Sequence, residues 1–337
     1  MRKLGVFILG VAVSCGVLLY PNDSLQAEAA TPDKIVYVGG MSAGFTLKTG
    51  GVQIIGTCEI LTDGGASSPA GRAGIRAGDV VTKAGGIRVE TVEELNEIVN
   101  KSGDKALELE IKRGGEVKIV KLTPIKDKNT EKFRIGVLVR DSVSGIGTVT
   151  YIEKESGRFG SLGHAVEGEN KREMRVADGL VYECDIVGVN KGVRGKAGEL
   201  RGMFISDKRL GKAEKLCDCG IFGQISETFE TKSLQCAVAT SDFVKPGNAY
   251  IYSTVEGNCP KKYEIEIVKV DKRNKENKNY VIKITDETLI EETGGIVQGM
   301  SGSPILQDGK LVGAVTHVFL NDPTRGYGID IATMLCE

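Results

Sequence analysis

The apolar residues of this chain come in short runs that glycine cuts off. Lys34-Ile35-Val36-Tyr37-Val38 stops at Gly39-Gly40, and Leu311-Val312-Gly313-Ala314-Val315 carries a glycine at its centre. Glycine occurs 45 times in 337 residues, about twice its ordinary share. Short β-branched runs bounded by turn residues are strands, because glycine supplies the positive φ of tight turns while Val and Ile pack on a pleated surface. The expected class is mainly β, and the length allows two or three domains. A net charge of -1 gives no electrostatic case for a nucleic-acid partner. The Lys-rich stretch Asp271 to Lys278 lies between alternating segments and holds no aromatic residue, so it reads as a solvated hairpin tip.

One turn stands apart: Gly299-Met300-Ser301-Gly302-Ser303-Pro304, set between Gly295-Ile296-Val297 and the strand from Leu311. A serine framed by glycines between two strands presents its hydroxyl. Its own N–H and that of Gly299 can face the same point, which is the geometry of a nucleophile beside an oxyanion hole. The same residues are also ordinary turn chemistry. A partner base and a fitting domain context decide between the two readings.

The N-terminus bears on compartment. Arg2 and Lys3 precede an uncharged apolar run of 17 residues, Leu4 to Tyr20, at the short end for a bilayer span. The flank beyond it has Asp23 and Glu28 and no lysine before Lys34. The charge bias puts the N-terminus in the cytoplasm and the rest outside. Small residues at Ala27, Ala29 and Ala30 suit a signal peptidase, so residues 1–30 read as a signal or retained anchor. Cys15 falls inside the apolar run. Seven cysteines follow, Cys58, Cys184, Cys217, Cys219, Cys236, Cys259 and Cys336. An exported chain can pair some of them, with at least one left over. Cys217-Asp218-Cys219 lacks further Cys or His at zinc-site spacing, and no metal is expected.

Residues 34–125 read as one unit. Gly39 to Phe45 is a glycine loop, and Val52 to Ile55 is apolar. Thr91 and Glu94 have capping-box spacing before Val92, Leu95, Ile98 and Val99 at helical spacing. Leu107, Leu109 and Ile111 alternate as a strand, which returns after Arg113-Gly114-Gly115-Glu116 as Val117 to Leu122. With the phrase Ala73-Gly74-Ile75-Arg76-Ala77-Gly78-Asp79-Val80-Val81, this order resembles a PDZ domain. The resemblance implies peptide binding at a sheet edge, with Gly44 and Phe45 in the carboxylate-binding loop and peptide termini as ligands. A rigid spacer is the plainer alternative.

A polar linker, Lys126 to Lys132, opens the second half, residues 126–337. Ile135 to Val139, Gly147 to Ile152, Tyr263 to Val270 and Tyr280 to Ile284 read as strands. Gly195-Lys196-Ala197 fails the phosphate-loop pattern, since Asn190 stands at its first glycine and Ala197 at its Ser/Thr. The chain has only two histidines, His164 and His317. His164 lies between Gly163 and Ala165, where an imidazole has room to act as a general base for Ser301. His317, in the strand after the serine turn, is better placed for substrate contact.

The phrases Phe159-Gly160-Ser161-Leu162-Gly163-His164, Thr293 to Pro304 and Gly313 to Thr324 are similar to the sporulation peptidase family of stage IV sporulation protein B. The similarity extends over membrane segment, PDZ domain and peptidase domain in that order. It implies a chymotrypsin-like double β-barrel and a secreted serine endopeptidase of endospore-forming bacteria. It further implies a membrane-bound regulatory protein as substrate, whose cleavage releases an intramembrane protease and activates a sigma factor, together with self-cleavage of the N-terminal region. No cofactor is implied. The catalytic residues carried over are His164 as base and Ser301 as nucleophile, ahead of Ser303, with Gly299 and Ser301 N–H groups as the oxyanion hole. Asp286 matches the family's acidic residue, yet it lies only 15 residues before Ser301. Chymotrypsin-like enzymes keep that acid nearer the histidine, so Asp178, Asp185 and Asp242 stay open. A membrane-tethered PDZ scaffold with an inactive or only self-processing peptidase domain is the alternative.

Overall fold

The structure, a computed structural model, describes residues 34–166, 178–226, 234–239 and 242–336. The expected membrane segment, residues 1–30, lies outside the described residues. Among the described residues, no helix is long and apolar enough to cross a membrane.

Twelve strands make two closed rings of six. The first ring holds β1 (Ser42–Thr57), β2 (Val137–Glu153), β3 (Arg158–Leu162), β4 (Gly179–Asn190), β5 (Glu199–Cys217) and β6 (Gly220–Ile225). All its pairings are antiparallel. They run β1-β2-β3-β6-β5-β4 and return to β1 through Phe45 opposite Val181. The second ring holds β7 (Gly247–Ser253), β8 (Lys261–Val270), β9 (Tyr280–Ile284), β10 (Pro304–Gln307), β11 (Lys310–Phe319) and β12 (Asp322–Asp330). It closes in the corresponding order, β7-β8-β9-β12-β11-β10. Closure leaves no bare sheet edge within either ring.

Alternation fills the second barrel. Tyr263, Ile265 and Ile267 on β8 and Tyr280, Ile282 and Ile284 on β9 all point into one core with Ile251, Ile305, Val312 and Val315. The first barrel packs Phe45, Leu47, Val149, Phe159, Leu162, Val181 and Ile221. The barrels meet where glycine removes a side chain. A Cβ on Gly302 would lie 2.1 Å from Thr148 O and 2.5 Å from Leu162 N, and Gly302 has φ +94°. No other residue type fits there without moving one barrel away from the other.

The PDZ unit is inserted into the first barrel, between β1 and β2. The distal part of β1 leaves the ring, and its Val52 and Gln53 pair with Val81 and Val80 of the strand Val80–Ala84. That strand pairs with Leu107–Arg113, which in turn pairs with Glu116–Leu122. Helix α1 (Val92–Ser102) starts at Thr91 with the expected capping box. Its Leu95 and Val99 join Val52, Ile54, Val81, Leu109 and Ile111 in a separate core. Asp79 is buried there and receives Arg113 Nε at 2.7 Å and Arg76 N at 2.9 Å. Burial alone would raise this carboxyl, but the guanidinium and the N–H outweigh it and hold it below the ordinary carboxylate range.

Two expectations are corrected by this connection. Residues 34–125 are not one unit, because Ser42 to Leu47 pair along both sides with β2 and β4 as barrel strand. Ile35–Val38 likewise pairs with β2 and with Gln235–Ala237, away from the PDZ sheet. Nor do Gly44 and Phe45 form a carboxylate-binding loop. Gly44 lies mid-strand opposite Ile146 and Tyr182, and Phe45 is buried in the first barrel. The glycine at 44 answers a packing need: a Cβ there would meet the Phe204 ring at 2.4 Å.

Candidate active site

The seam between the barrels holds a cavity of about 740 Å³. Ser301, His164 and His317 all line it, together with Gly299, Gln298 and Asp218. The first barrel contributes Phe45, Leu47 and Val143 to Ile146 to its wall, and the β8–β9 tip contributes Lys275 to Lys278. That tip, expected as a plain solvated turn, therefore overhangs the cavity.

Ser301 is held by bonds that cross the seam. Thr148 N donates to Ser301 O at 3.0 Å, Thr148 Oγ1 to Gly299 O at 2.8 Å, and Thr150 Oγ1 to Gly302 O at 2.7 Å. From its own barrel, Gly302 N donates to Val315 O at 2.8 Å and Ser303 N to Met300 O at 2.9 Å. Gly299 and Gly302 both have positive φ, +99° and +94°, so the chain makes a turn that only glycine adopts freely at both points. Met300, Gly302 and Ser303 spend their N–H groups within the fold. Among the described residues, the N–H groups of Gly299 and Ser301 donate to no backbone carbonyl. Those are the two donors an oxyanion needs.

Ser301 Oγ donates to Thr316 O at 2.8 Å. In this resting rotamer the hydroxyl is anchored on β11, and a χ1 rotation must free it to engage a base. Ser303, the other serine of the turn, is fully buried and bonded to Ser253 Oγ at 3.0 Å. It has no access to a substrate.

His164 follows two left-handed residues, Leu162 at φ +71° and Gly163 at φ +72°, which turn the chain out of β3 toward the second barrel. A Cβ on Gly163 would lie 2.9 Å from both Ile329 and Thr316, so glycine lets this loop close onto β11. His164 Nδ1 lies 2.8 Å from Ala165 O. A carbonyl only accepts, so Nδ1 carries the proton and Nε2 is the acceptor, the tautomer a general base requires. The His317 ring stands 4.9 Å from that of His164, tilted by 41°.

Asp286 is not brought to this site. It caps helix α2 (Glu287–Thr293), with Leu289 N donating to its Oδ1 at 3.0 Å and Glu264 N to its Oδ2 at 3.3 Å. It is absent from the cavity wall. Its charge is felt instead at Tyr263, whose phenol is pushed up to about 12 by burial, then by Glu292 and Asp286. The expected catalytic role of Asp286 is corrected on this ground: both oxygens are spent on backbone N–H groups of the second barrel. Asp178 pairs with Lys48 at 2.9 Å and Asp242 with Lys272 at 2.9 Å, and neither lines the cavity, nor does Asp185.

The seven described cysteines are free thiols, and Cys217 and Cys219 sulfurs lie 3.1 Å apart. No cluster of three or more metal-ligating side chains occurs among the described residues.

The PDZ unit carries a cavity of its own, about 220 Å³, beside α1. Leu95, Asn96 and Val99 form one wall, and Cys58 to Ile60 with Arg134 to Leu138 form the other. Gly136, at φ +77°, passes close under Cys58 O, where a Cβ would lie 2.6 Å away. A helix facing extended backbone across an apolar groove is the arrangement that accepts a peptide strand.

Two family models match the chain. One, described as SpoIVB peptidase S55, covers residues 131–335, and one described as a PDZ domain covers residues 60–113. The first begins after β1 and the second ends before β2, so neither includes the strand that completes the first barrel.

Proposed function

Since the chain belongs to the SpoIVB peptidase S55 family and is a serine peptidase of sporulation carrying a PDZ domain, we propose that Ser301 is its nucleophile and His164 its general base. The observation that carries this reading is the common wall. Ser301, His164 and Gly299 border one cavity, with the N–H groups of Gly299 and Ser301 not committed to the backbone.

In the proposed reaction Ser301 Oγ leaves Thr316 O and attacks a peptide carbonyl. His164 Nε2 takes the hydroxyl proton. The carbonyl oxygen, now an anion, is held by Gly299 and Ser301 N–H groups, each such donor being worth about 3 to 4 kcal/mol. His164 then protonates the departing amine, and water releases the acyl group by the reverse proton path. The fold is a chymotrypsin-like double barrel in this reading: both rings close in one strand order, and the nucleophile and base come from different rings.

The substrate is a membrane-bound regulatory protein cleaved outside the cytoplasm. Its cleavage starts intramembrane proteolysis and sigma-factor activation, and the peptidase also trims its own N-terminal region, which anchors or exports it. The groove beside α1, lined by Leu95, Val99 and Ile135, takes a peptide terminus. The test is hydrolysis of a peptide substrate and self-cleavage by the full chain with Ser301→Ala, Ser303→Ala and His164→Ala. Loss with Ser301→Ala and His164→Ala is expected. Activity surviving Ser301→Ala removes the nucleophile assignment, and self-cleavage without peptide turnover in the unmodified chain favours a self-processing scaffold.

A further inference from the structure

His164 has a base's tautomer but, with Asp286 spent on α2, no acid has been assigned to it. A carbonyl partner such as Ala165 O orients the ring without offsetting the positive charge that arrives with the proton. The β3–β6 ladder shows where an acid lies. It pairs Arg158 with Gln224, Ser161 with Ile221 and Leu162 with Gly220. Continued in the same register past its last rung, the position opposite His164 is Asp218. The two strands are in close contact at that end, because a Cβ on Gly220 would lie 2.1 Å from Ser161 O and 3.2 Å from Gly163 N. Asp218 occupies the tight turn between β5 and β6 and lines the same cavity as His164, His317 and Ser301. Asn277 Nδ2 donates to its backbone carbonyl at 2.8 Å, tying this turn to the overhanging tip of the second barrel. Asp218 also follows His164 in the chain and precedes Ser301, with its turn held by the strand next to the histidine's own.

Resting on the reading of Ser301 and His164 as nucleophile and base, we propose that Asp218 is the positioning acid of this peptidase, stabilising the imidazolium of His164. The other titratable groups facing the cavity are His317 on β11 and Lys275, Glu276 and Lys278 of the β8–β9 tip, with Cys217 adjoining in the chain. Lys278 and Glu276 pair at 3.0 Å and largely cancel. Asp218 is thus the carboxylate whose removal exposes the imidazolium to net positive surroundings.

The experiment is the pH profile of peptide hydrolysis by the full chain, for unmodified protein and for Asp218→Asn, Asp218→Glu, Asp286→Asn and Ser301→Ala. Asp218→Asn is expected to lower kcat about 100-fold or more with KM nearly unchanged. Without the carboxylate the imidazolium is less stable, so the acid limb moves about one pH unit lower. Asp218→Glu is expected to restore part of kcat and the position of the limb. Asp286→Asn is expected to keep both. An unchanged limb and kcat in Asp218→Asn, or a limb displaced by Asp286→Asn alone, overturns the proposal. Activity in Ser301→Ala would instead overturn the reading beneath it. NMR titration of the two histidines in Ser301→Ala, with and without Asp218→Asn or Asp218→Glu, reads the same effect with no need for turnover. A His164 midpoint that Asp218→Asn leaves in place counts against the proposal. If the asparagine variant does not fold, a glutamate variant with an unmoved midpoint and kcat lowered no more than threefold supports the proposal. A glutamate variant whose midpoint falls as far as expected for charge removal counts against it.

Discussion

The two barrels share one strand order but use it differently. The second is built of short strands, from 4 residues in β10 to 10 in β8 and β11, closed around large β-branched and aromatic side chains. The first has strands of 16, 17 and 19 residues in β1, β2 and β5. Two of these, β1 and β2, run on to carry the PDZ unit. One barrel is thus a closed platform for the serine turn, and the other is a connector that joins the histidine loop to a distant peptide groove. A strain placed on the PDZ unit has a continuous, hydrogen-bonded path to β2, whose Thr148 and Thr150 hold the serine turn across the seam. The two barrels should therefore respond unequally to substitution.

The largest expected effect is chemical and local to the second barrel. Ser301→Ala removes only a hydroxyl bonded to Thr316 O. Peptide hydrolysis should fall by a factor on the order of 10⁴ or more, while the thermal midpoint stays within a degree or two. A midpoint drop of many degrees would mean that the serine turn is a structural keystone.

The next variant attacks the seam itself. Gly302→Ala adds a methyl group 2.1 Å from Thr148 O and 2.5 Å from Leu162 N, at a φ that disfavours it. A cost of about 3 to 5 kcal/mol is expected from left-handed strain and overpacking together. Gly309→Ala, at φ +79° with nothing within 4 Å, should cost only about 1 kcal/mol. Chemical denaturation of both separates strain from collision. Equal losses would mean that the barrels are not locked at Gly302.

A third variant tests whether the insert unfolds apart from the second barrel. Asp79 is held ionised by Arg113 and Arg76 N–H in the PDZ core. A carboxyl whose folded value is depressed contributes stability above its unfolded value, near 3.9. That contribution fades as pH falls from there through the folded value. Asp79→Asn should cost about 2 to 3 kcal/mol at neutral pH and flatten this acid dependence. Hydrogen exchange should show earlier opening for α1 than for β8 and β9. Simultaneous opening of all three would make the chain one cooperative unit and end the contrast.

Sequence reasoning reached local features and stopped at long-range ones. The capping box at Thr91 and Glu94, the alternation at Leu107, Leu109 and Ile111, and the glycine-framed turn at Ser301 are all signals within a few residues. They appear as read, at α1, at the strand Leu107–Arg113, and in the loop between the barrels. The split of β1 was not legible, because a strand that serves two sheets has the same apolar run as two strands. Gly44 read as a loop residue because its reason, the Phe204 ring, lies 160 residues away in sequence. Asp218 went unremarked beside two cysteines that drew a metal reading. Its proximity to the histidine loop appears only when β6 is laid along β3.

The smallest expected effect concerns Asp286, where similarity and geometry disagree most. As an N-cap its side chain satisfies Leu289 N, and its second oxygen binds Glu264 N at the far strand of the same barrel. Asp286→Ala should therefore cost about 1 to 2 kcal/mol of stability. Asp286→Ser, which keeps a capping acceptor, should regain most of it. A catalytic acid would behave in the opposite way: serine would rescue nothing, and turnover at saturating substrate would fall far more than the folded fraction. Comparing specific activity per folded molecule in the alanine and serine variants separates these cases. Similar activity in the two, with only the thermal midpoint moving, leaves Asp286 as part of the platform that carries Ser301. A fall of 100-fold or more in both would return it to the catalytic machinery and require the helix cap to open during turnover.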